Sequence, residues 1–387
     1  GHEEPYGVIR FELGNEFSDT GQNYWMAGLS EHNRGVTDLY IEGDRMTISG
    51  QTSYYQTNNR VAKKGDWRAS ASLSDGKANE ERYVYYLPVV EDTAEVFVGG
   101  TKWEIVDSLE GQGAANVCTF DYETGKIAFG DGVNGAIPSS GTQITCNYKT
   151  DQSGFVDYYE AMKAVADEIG SEIEIYSGIF DGRQNEFIDK MHEKGYDAKY
   201  DGVIIHPYSK GVTSYEDSLV RAKGFSNNIA TYRNKMLLLT QDDSKKVAVS
   251  EFGILSVSPA SNYQTSLGHA IYIANHMIDC VNSGAAYQNK HCLVDTTGAS
   301  DNLGAWQQCV IQSHQTDNGY QYVSTPSARL FSIFNNMTGS VEVNQTITGN
   351  GVFTGSGNNA VSNVNVYSTK DEYGNAYVMA VNNKSES

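Results

Sequence analysis

The sequence predicts an α/β protein organised as a (β/α)8 TIM barrel, and three observations predict it. Apolar runs alternate with stretches of helical periodicity between residues 151 and 338. The runs are continuous, as strands covered on both faces are. Several stop at polar, reactive residues: Asn15 and Glu16, His206 and Tyr208, and Glu251. Strand–helix alternation implies parallel pairing, in a doubly wound sheet or a barrel. In a barrel the strand tips share one mouth, where active sites of that fold sit.

Taken in order, residues 8–16 (VIRFELGNE) read as a strand whose end places Glu16 at the rim, just beyond the core. Residues 151–170 have Phe155, Tyr158, Met162 and Val165 at helical spacing, which predicts that this face is the buried one. Residues 171–180 are a strand, and 183–195 a helix closed by Gly195. Residues 200–209 (YDGVIIHPYS) are a strand, 215–239 a helix, 245–254 (KKVAVSEFGI) a strand and 261–284 a long helix. Residues 289–295 are another strand candidate, and 324–337 a helix with Pro326 in its first turn.

Two regions break the alternation. Residues 44–150 lack a helical pattern and are rich in β character; Glu123-Thr124-Gly125 reads as a hairpin turn between CTFDY and KIAFG. This predicts an inserted β-rich module on the loop after the Glu16 strand, where a barrel tolerates insertions. After residue 338 the pattern turns β again, as part of a C-terminal β-sandwich. The expected division is therefore 1–43 for the Asn-Glu strand, 44–150 for the insert, 151–338 for the remaining barrel and 339–387 for the C-terminal β-domain.

Composition narrows the function classes. Lys and Arg total 28 against 48 Asp and Glu, a net charge of -20. That balance repels nucleic acid and anionic membranes, so neither is expected as a partner. No run of 18 apolar residues is present to span a bilayer. The amino end lacks a basic-then-apolar export segment, so such a signal has been removed or was never in this chain. An extracellular or cell-surface location is expected, with the cytoplasm left open. The five cysteines form no C-x-x-C pair, which argues against a zinc or redox site. Cys118 and Cys146 are either a disulfide or buried free thiols. No cofactor and no metal is expected.

Two carboxylates at barrel strand tips suit glycoside hydrolysis: one protonates the leaving oxygen, while the other attacks the anomeric carbon or activates water. Glu16 and Glu251 are the candidates, at the retaining separation of about 5–5.5 Å. Trp25, Trp103 and Trp306 are sugar-stacking or core residues, with Trp306 preferred for stacking. His269, His276 and His291 read as ordinary packing or surface residues. Asp121 and Asp131 lack the loop pattern of a calcium site.

These motifs resemble glycoside hydrolase family 51 and its barrel clan, mostly α-L-arabinofuranosidases with some endoglucanases. EPYGVIRFELGNE is similar to the acid/base strand, which implies Glu16 as general acid/base and Asn15 as the donor to the sugar 2-hydroxyl. VAVSEFG is similar to the nucleophile strand, making Glu251 the nucleophile. IIHPYS implies His206 bordering the pocket and Tyr208 hydrogen-bonding the nucleophile. AWQQCVI implies a sugar-contacting glutamine, Gln308 or else Gln307. The resemblance covers residues 1–30 and 150–340. It implies a retaining arabinofuranosidase-like enzyme acting on plant-type saccharides, with an endo-acting glucanase or xylanase of the same clan as the alternative. A non-catalytic carbohydrate-binding or structural surface protein is the alternative from another class.

Two features depart from the family. Its Asn-Glu strand is the fourth of the barrel, yet seven residues precede Val8 here, and at most five strand candidates are found. Five strands do not close a barrel. The missing part is expected from upstream sequence or a second chain, packed against Val8–Leu13; a homo-oligomer also stays open. The stretch ending in FGDGVNGAIP resembles a small β-module of phage baseplate proteins.

Overall fold

The computed structural model describes residues 7–16, 38–48, 59–64, 72–179, 182–259, 261, 263–297, 309–337, 341–354 and 359–384. The chain divides into two compact units, Gly1–Tyr200 and Asp201–Ser387.

In the first unit β1 (Arg10–Leu13) is followed by α1 (Asp38–Glu42) and β2 (Gly43–Ile48). Then come β3 (Glu81–Tyr83), β4 (Glu95–Val98), β5 (Thr101–Ile105), β6 (Val117–Asp121), β7 (Lys126–Phe129) and β8 (Ile144–Ser153). The unit ends with α2 (Phe155–Glu168), β9 (Glu174–Ser177) and α3 (Gln184–Glu193). β1 and β9 pair in parallel, Arg10 opposite Glu174 and Leu13 opposite Ser177. Their helices pack an aromatic core: Phe187 meets Phe155 edge-on at 5.3 Å and Tyr200 at 5.5 Å, with Tyr40 beside both phenylalanines.

Strands β2 to β8 form one seven-stranded sheet, ordered β2-β8-β4-β5-β6-β7-β3. Its pairings are antiparallel except β5 with β6. Alternate residues of its strands, among them Val96, Trp103, Ile127, Phe129, Ile144 and Tyr148, make a separate hydrophobic core. The β6–β7 hairpin closes at Glu123-Thr124-Gly125 as the sequence indicates. Asp121 accepts from the Glu123 and Thr124 amides at 3.0 and 3.1 Å, and Gly125 takes the positive φ the turn requires. Asp131 accepts from the Val133 and Asn134 amides in the same manner. The Thr124 side chain, and then its backbone amide, hold the Asp121 carboxyl below the usual range, and the Asn134 and Val133 amides do the same for Asp131. Cys118 and Cys146 are free thiols inside this core, and burial pushes the Cys118 thiol up to about 12. Trp103 meets Phe129 edge-on at 5.4 Å inside the same core, which removes it as a sugar platform.

The second unit opens with β10 (Gly202–Ile205), β11 (Tyr208–Ser209), α4 (Tyr215–Thr240), β12 (Lys246–Ile254), α5 (Leu267–Asn282) and β13 (Ala285–Lys290). β12 pairs in parallel with β10, β11 and β13. Ser214 and Ser266 cap α4 and α5, each accepting from the amide three residues on. β14 (Val294–Thr297), β15 (Ile311–Thr316) and β16 (Gly319–Ser324) form a three-stranded sheet ahead of α6 (Pro326–Phe334), which starts at Pro326. Then come β17 (Val341–Glu342), β18 (Val352–Thr354), β19 (Ala360–Ser362), β20 (Val364–Lys370) and β21 (Ala376–Asn382). They pair as the sheet β17-β20-β21 and the hairpin β18-β19. A reciprocal amide pair ties them to α5: Asn275 donates to Asn383 at 2.7 Å and Asn383 to Asn275 at 2.9 Å.

Three sequence expectations need correction. Six parallel strands of the β/α type are present among the described residues, β1 and β9 in one unit and β10 to β13 in the other, where the sequence offers at most five; the expectation that no complete eight-stranded barrel is found among them stands. Residues 289–295 are not one strand; β13 ends at Lys290 and β14 begins at Val294. In α2 the buried residues are Phe155, Val156, Tyr159 and Ala166, whereas Tyr158 and Val165 are exposed. The helix has two apolar faces, and spacing alone does not say which of them turns inward.

No helix among the described residues is long and apolar enough to cross a membrane.

Candidate active site

In the second unit, β10 is buried along its whole length and runs parallel to β12, Ile205 opposite Val249. The pairing brings the next residues of each strand together across 44 positions of sequence. His206 Nε2 lies 2.8 Å from Ser250 Oγ, with the tautomer setting which atom donates. Its Nδ1 lies 3.9 Å from Glu251 Oε2. Pro207 follows, and β11 resumes the pairing with Tyr208 opposite Gly253. The Tyr208 hydroxyl donates to Glu251 Oε2 at 2.6 Å, a charge-assisted bond in the short range. Glu251 is half-buried while Val247, Ala248, Val249 and Phe252 around it are core. The carboxylate thus rises from an apolar strand and has a donor already in place.

α5 and the helical turn Tyr263–Thr265 ahead of it support this strand from behind. The His276 ring stacks on Phe252 at 4.2 Å, the Tyr272 hydroxyl donates to the Gly253 carbonyl at 3.2 Å, and the Gln264 amide donates to the Ile254 carbonyl at 2.8 Å. Burial is the main cause, and the Lys290 ammonium the second, that pushes His269 and His276 down to about 3. Both are neutral packing groups, as the sequence indicates.

His291 is different. It is exposed just past β13, its backbone amide donates to the Phe252 carbonyl at 3.2 Å, and its ring meets Tyr208 edge-on at 6.1 Å. The sequence reading names it as an ordinary packing or surface residue; it is exposed, but its place beside Tyr208 comes from the β12–β13 pairing, which no local motif announces.

In the first unit the chain leaves β1 through Gly14, at φ 86°, and reaches Glu16 at φ 48°, a left-handed conformation uncommon outside glycine. Such backbone concentrates at functional sites, where surrounding structure holds it. The hold here is Gly178: its amide donates to the Leu13 carbonyl at 3.0 Å, and a Cβ there would run into the Gly14 carbonyl. Asn15 is exposed and Glu16 half-buried.

His206, Tyr208 and Glu251 therefore form one cluster in the second unit, while Asn15 and Glu16 occupy the tip of β1 in the first. Trp306, Gln308 and the alternative Gln307, like Trp25, lie outside the described residues.

No protein-family model matches the chain, and no curated protein does. Solved structures do. A GH51 arabinofuranosidase from Xanthomonas axonopodis pv. citri matches at 16% identity over 60% of this chain and 49% of its own, with a TM-score of 0.44. A family 51 α-L-arabinofuranosidase from Bifidobacterium longum matches at 12% over 60% and 48%, with a TM-score of 0.45. A 4-O-α-L-rhamnosyl-β-D-glucuronidase from Fusarium oxysporum 12S matches at 10% over 56% and 44%, with a TM-score of 0.30. The chain spans about half the length of the solved structures it matches.

Proposed function

We propose that this chain carries the catalytic residues of a retaining glycoside hydrolase acting on arabinofuranosyl or related plant-type saccharides. The observation that carries the reading is the hydrogen bond from Tyr208, at the start of β11, to Glu251 within the buried parallel strand β12. A carboxylate held by one oxygen keeps the other for attack. In the proposed reaction, Glu251 attacks the anomeric carbon and Glu16 protonates the departing oxygen. Glu16 then removes a proton from water, which cleaves the glycosyl ester on Glu251 and returns the starting anomeric configuration. Asn15 holds the sugar 2-hydroxyl, and His206 borders the pocket. A net charge of -20 favours a neutral saccharide over an anionic one.

The test is hydrolysis of an aryl α-L-arabinofuranoside, followed by NMR of the first-formed product. The reading expects the α-anomer. Release of the β-anomer overturns the retaining mechanism, and activity confined to aryl glucosides or xylosides moves the enzyme to the endo-glucanase or xylanase side of the clan. Inactivity on all three favours a non-catalytic surface protein.

A further inference from the structure

We propose that Cys292 and Cys309 are the two halves of a disulfide, formed by thiol exchange with a small disulfide such as glutathione disulfide. The bond closes the segment 293–308 on itself, and that segment carries Trp306, Gln307 and Gln308.

The pairing of β14 with β15 brings the two residues together. The strands run in parallel with Val294 opposite Ile311. Hydrogen bonds continue past the start of both strands: the Ile311 amide donates to the Leu293 carbonyl at 2.8 Å, and the Val310 amide to the Cys292 carbonyl at 3.0 Å. Stepping back along both strands from the Val294–Ile311 pair sets Cys292 opposite Cys309. Neighbouring strands lie about 4.8 Å apart, and opposed residues project to the same side of the sheet. A disulfide joins Cα atoms about 4.4–6.8 Å apart, so the spacing is the one the bond needs. The sequence alone hides this pair, because the match lies between strands and not within a C-x-x-C motif.

The surroundings separate these two thiols from the other three. Cys118, Cys146 and Cys280 are buried, and burial pushes each of their thiols up, which keeps them protonated and inert. Cys292 is half-exposed, and its thiol donates to the Val294 carbonyl at 3.4 Å. Cys309 is buried. A solute therefore meets Cys292 first, and Cys309 is reached from Cys292. Cys292 gives its proton to solvent, attacks one sulfur of glutathione disulfide and expels one glutathione thiolate. Cys309 then gives up its proton, attacks the Cys292 sulfur and expels the second glutathione. The two protein thiols lose two electrons and two protons; glutathione disulfide takes them up as two thiols.

The inference stands apart from the catalytic reading, and its test needs no activity. The folded protein is incubated with excess glutathione disulfide and quenched in acid. Its remaining thiols are alkylated in denaturant, and the peptides are mapped by mass spectrometry. Alkylation is expected on Cys118, Cys146 and Cys280 alone, with a joined peptide pair that links Cys292 to Cys309. Cys309→Ser should stop at a glutathione adduct on Cys292, and Cys292→Ser should take up no glutathione. The unsubstituted protein decides the matter if either variant fails to fold. Alkylation of all five cysteines overturns the proposal. So does a lasting glutathione adduct on Cys292 of the unsubstituted protein, or a link from Cys292 to any cysteine other than Cys309.

Discussion

The Tyr208 hydroxyl and the Glu251 carboxylate are joined by a 2.6 Å hydrogen bond, although 43 residues separate them in sequence. Tyr208→Phe removes the donor and keeps the ring. A hydrogen bond to a charged group contributes about 1.5–3 kcal/mol, so kcat/KM on an aryl arabinofuranoside should fall roughly 10- to 100-fold with little change in Tm. An unchanged kcat/KM would mean that Tyr208 does not serve the nucleophile.

Gly178→Ala should damage the tip of β1. The new Cβ meets the Gly14 carbonyl, so β1 and β9 must separate where the chain turns toward Glu16. Lower Tm and loss of activity are expected together. A crystal structure of the variant with the Gly14–Glu16 backbone unmoved would remove Gly178 from this role.

The buried pair Glu80–Arg82 lies in the seven-stranded sheet region, with Ser74 donating to Glu80 at 2.6 Å and Arg82 donating to the Leu73 carbonyl at 2.7 Å. Arg82→Met leaves the Glu80 carboxylate buried without its counter-ion, which costs about 3–5 kcal/mol. Chemical denaturation should show this loss; a change below about 1 kcal/mol would mean that solvent reaches the pair.

Stability should fall in mild acid because of His269 and His276. Their folded-state pKa is depressed to about 3, against an ordinary value near 6.5. Between those values the unfolded chain binds protons that the folded chain excludes. The histidine contribution is therefore intact above about pH 6.5 and is lost as pH falls toward 3, by about 2 kcal/mol each at pH 5. Asp279, raised mainly by burial, works in the opposite sense at the acid end of that window. His276→Phe keeps the stack on Phe252 and should flatten the decline of Tm between pH 7 and 5. A variant as acid-sensitive as the parent would show that His276 is not the cause.

Much of the parallel α/β pattern was legible because buried strands and capped helices leave local signals. The run VAVSEFG becomes β12 from Lys246 to Ile254, and Pro326 opens α6. The neighbours of Glu251 were legible through motif resemblance, HPY at the break between β10 and β11 and SEF within β12. What local pattern does not encode is partnership. Met162 and Val165 fit a buried stripe as well as Phe155 does, and only the packing of α2 shows which face turns inward. His291 reaches Tyr208 because β13 aligns with β12, a pairing across nearly forty residues. Trp103 reads equally as a sugar platform or a core residue until Phe129 is seen against it.

The central claim is that Glu251 is the nucleophile of a retaining glycosidase, and azide rescue of Glu251→Gly tests it most directly. The variant should lose roughly 10³-fold or more of its kcat on an aryl α-L-arabinofuranoside. Azide should then restore turnover from the vacated position and yield the β-arabinofuranosyl azide, because one displacement replaces two. Near-parental activity without azide, or an azide product of α configuration, would contradict the assignment.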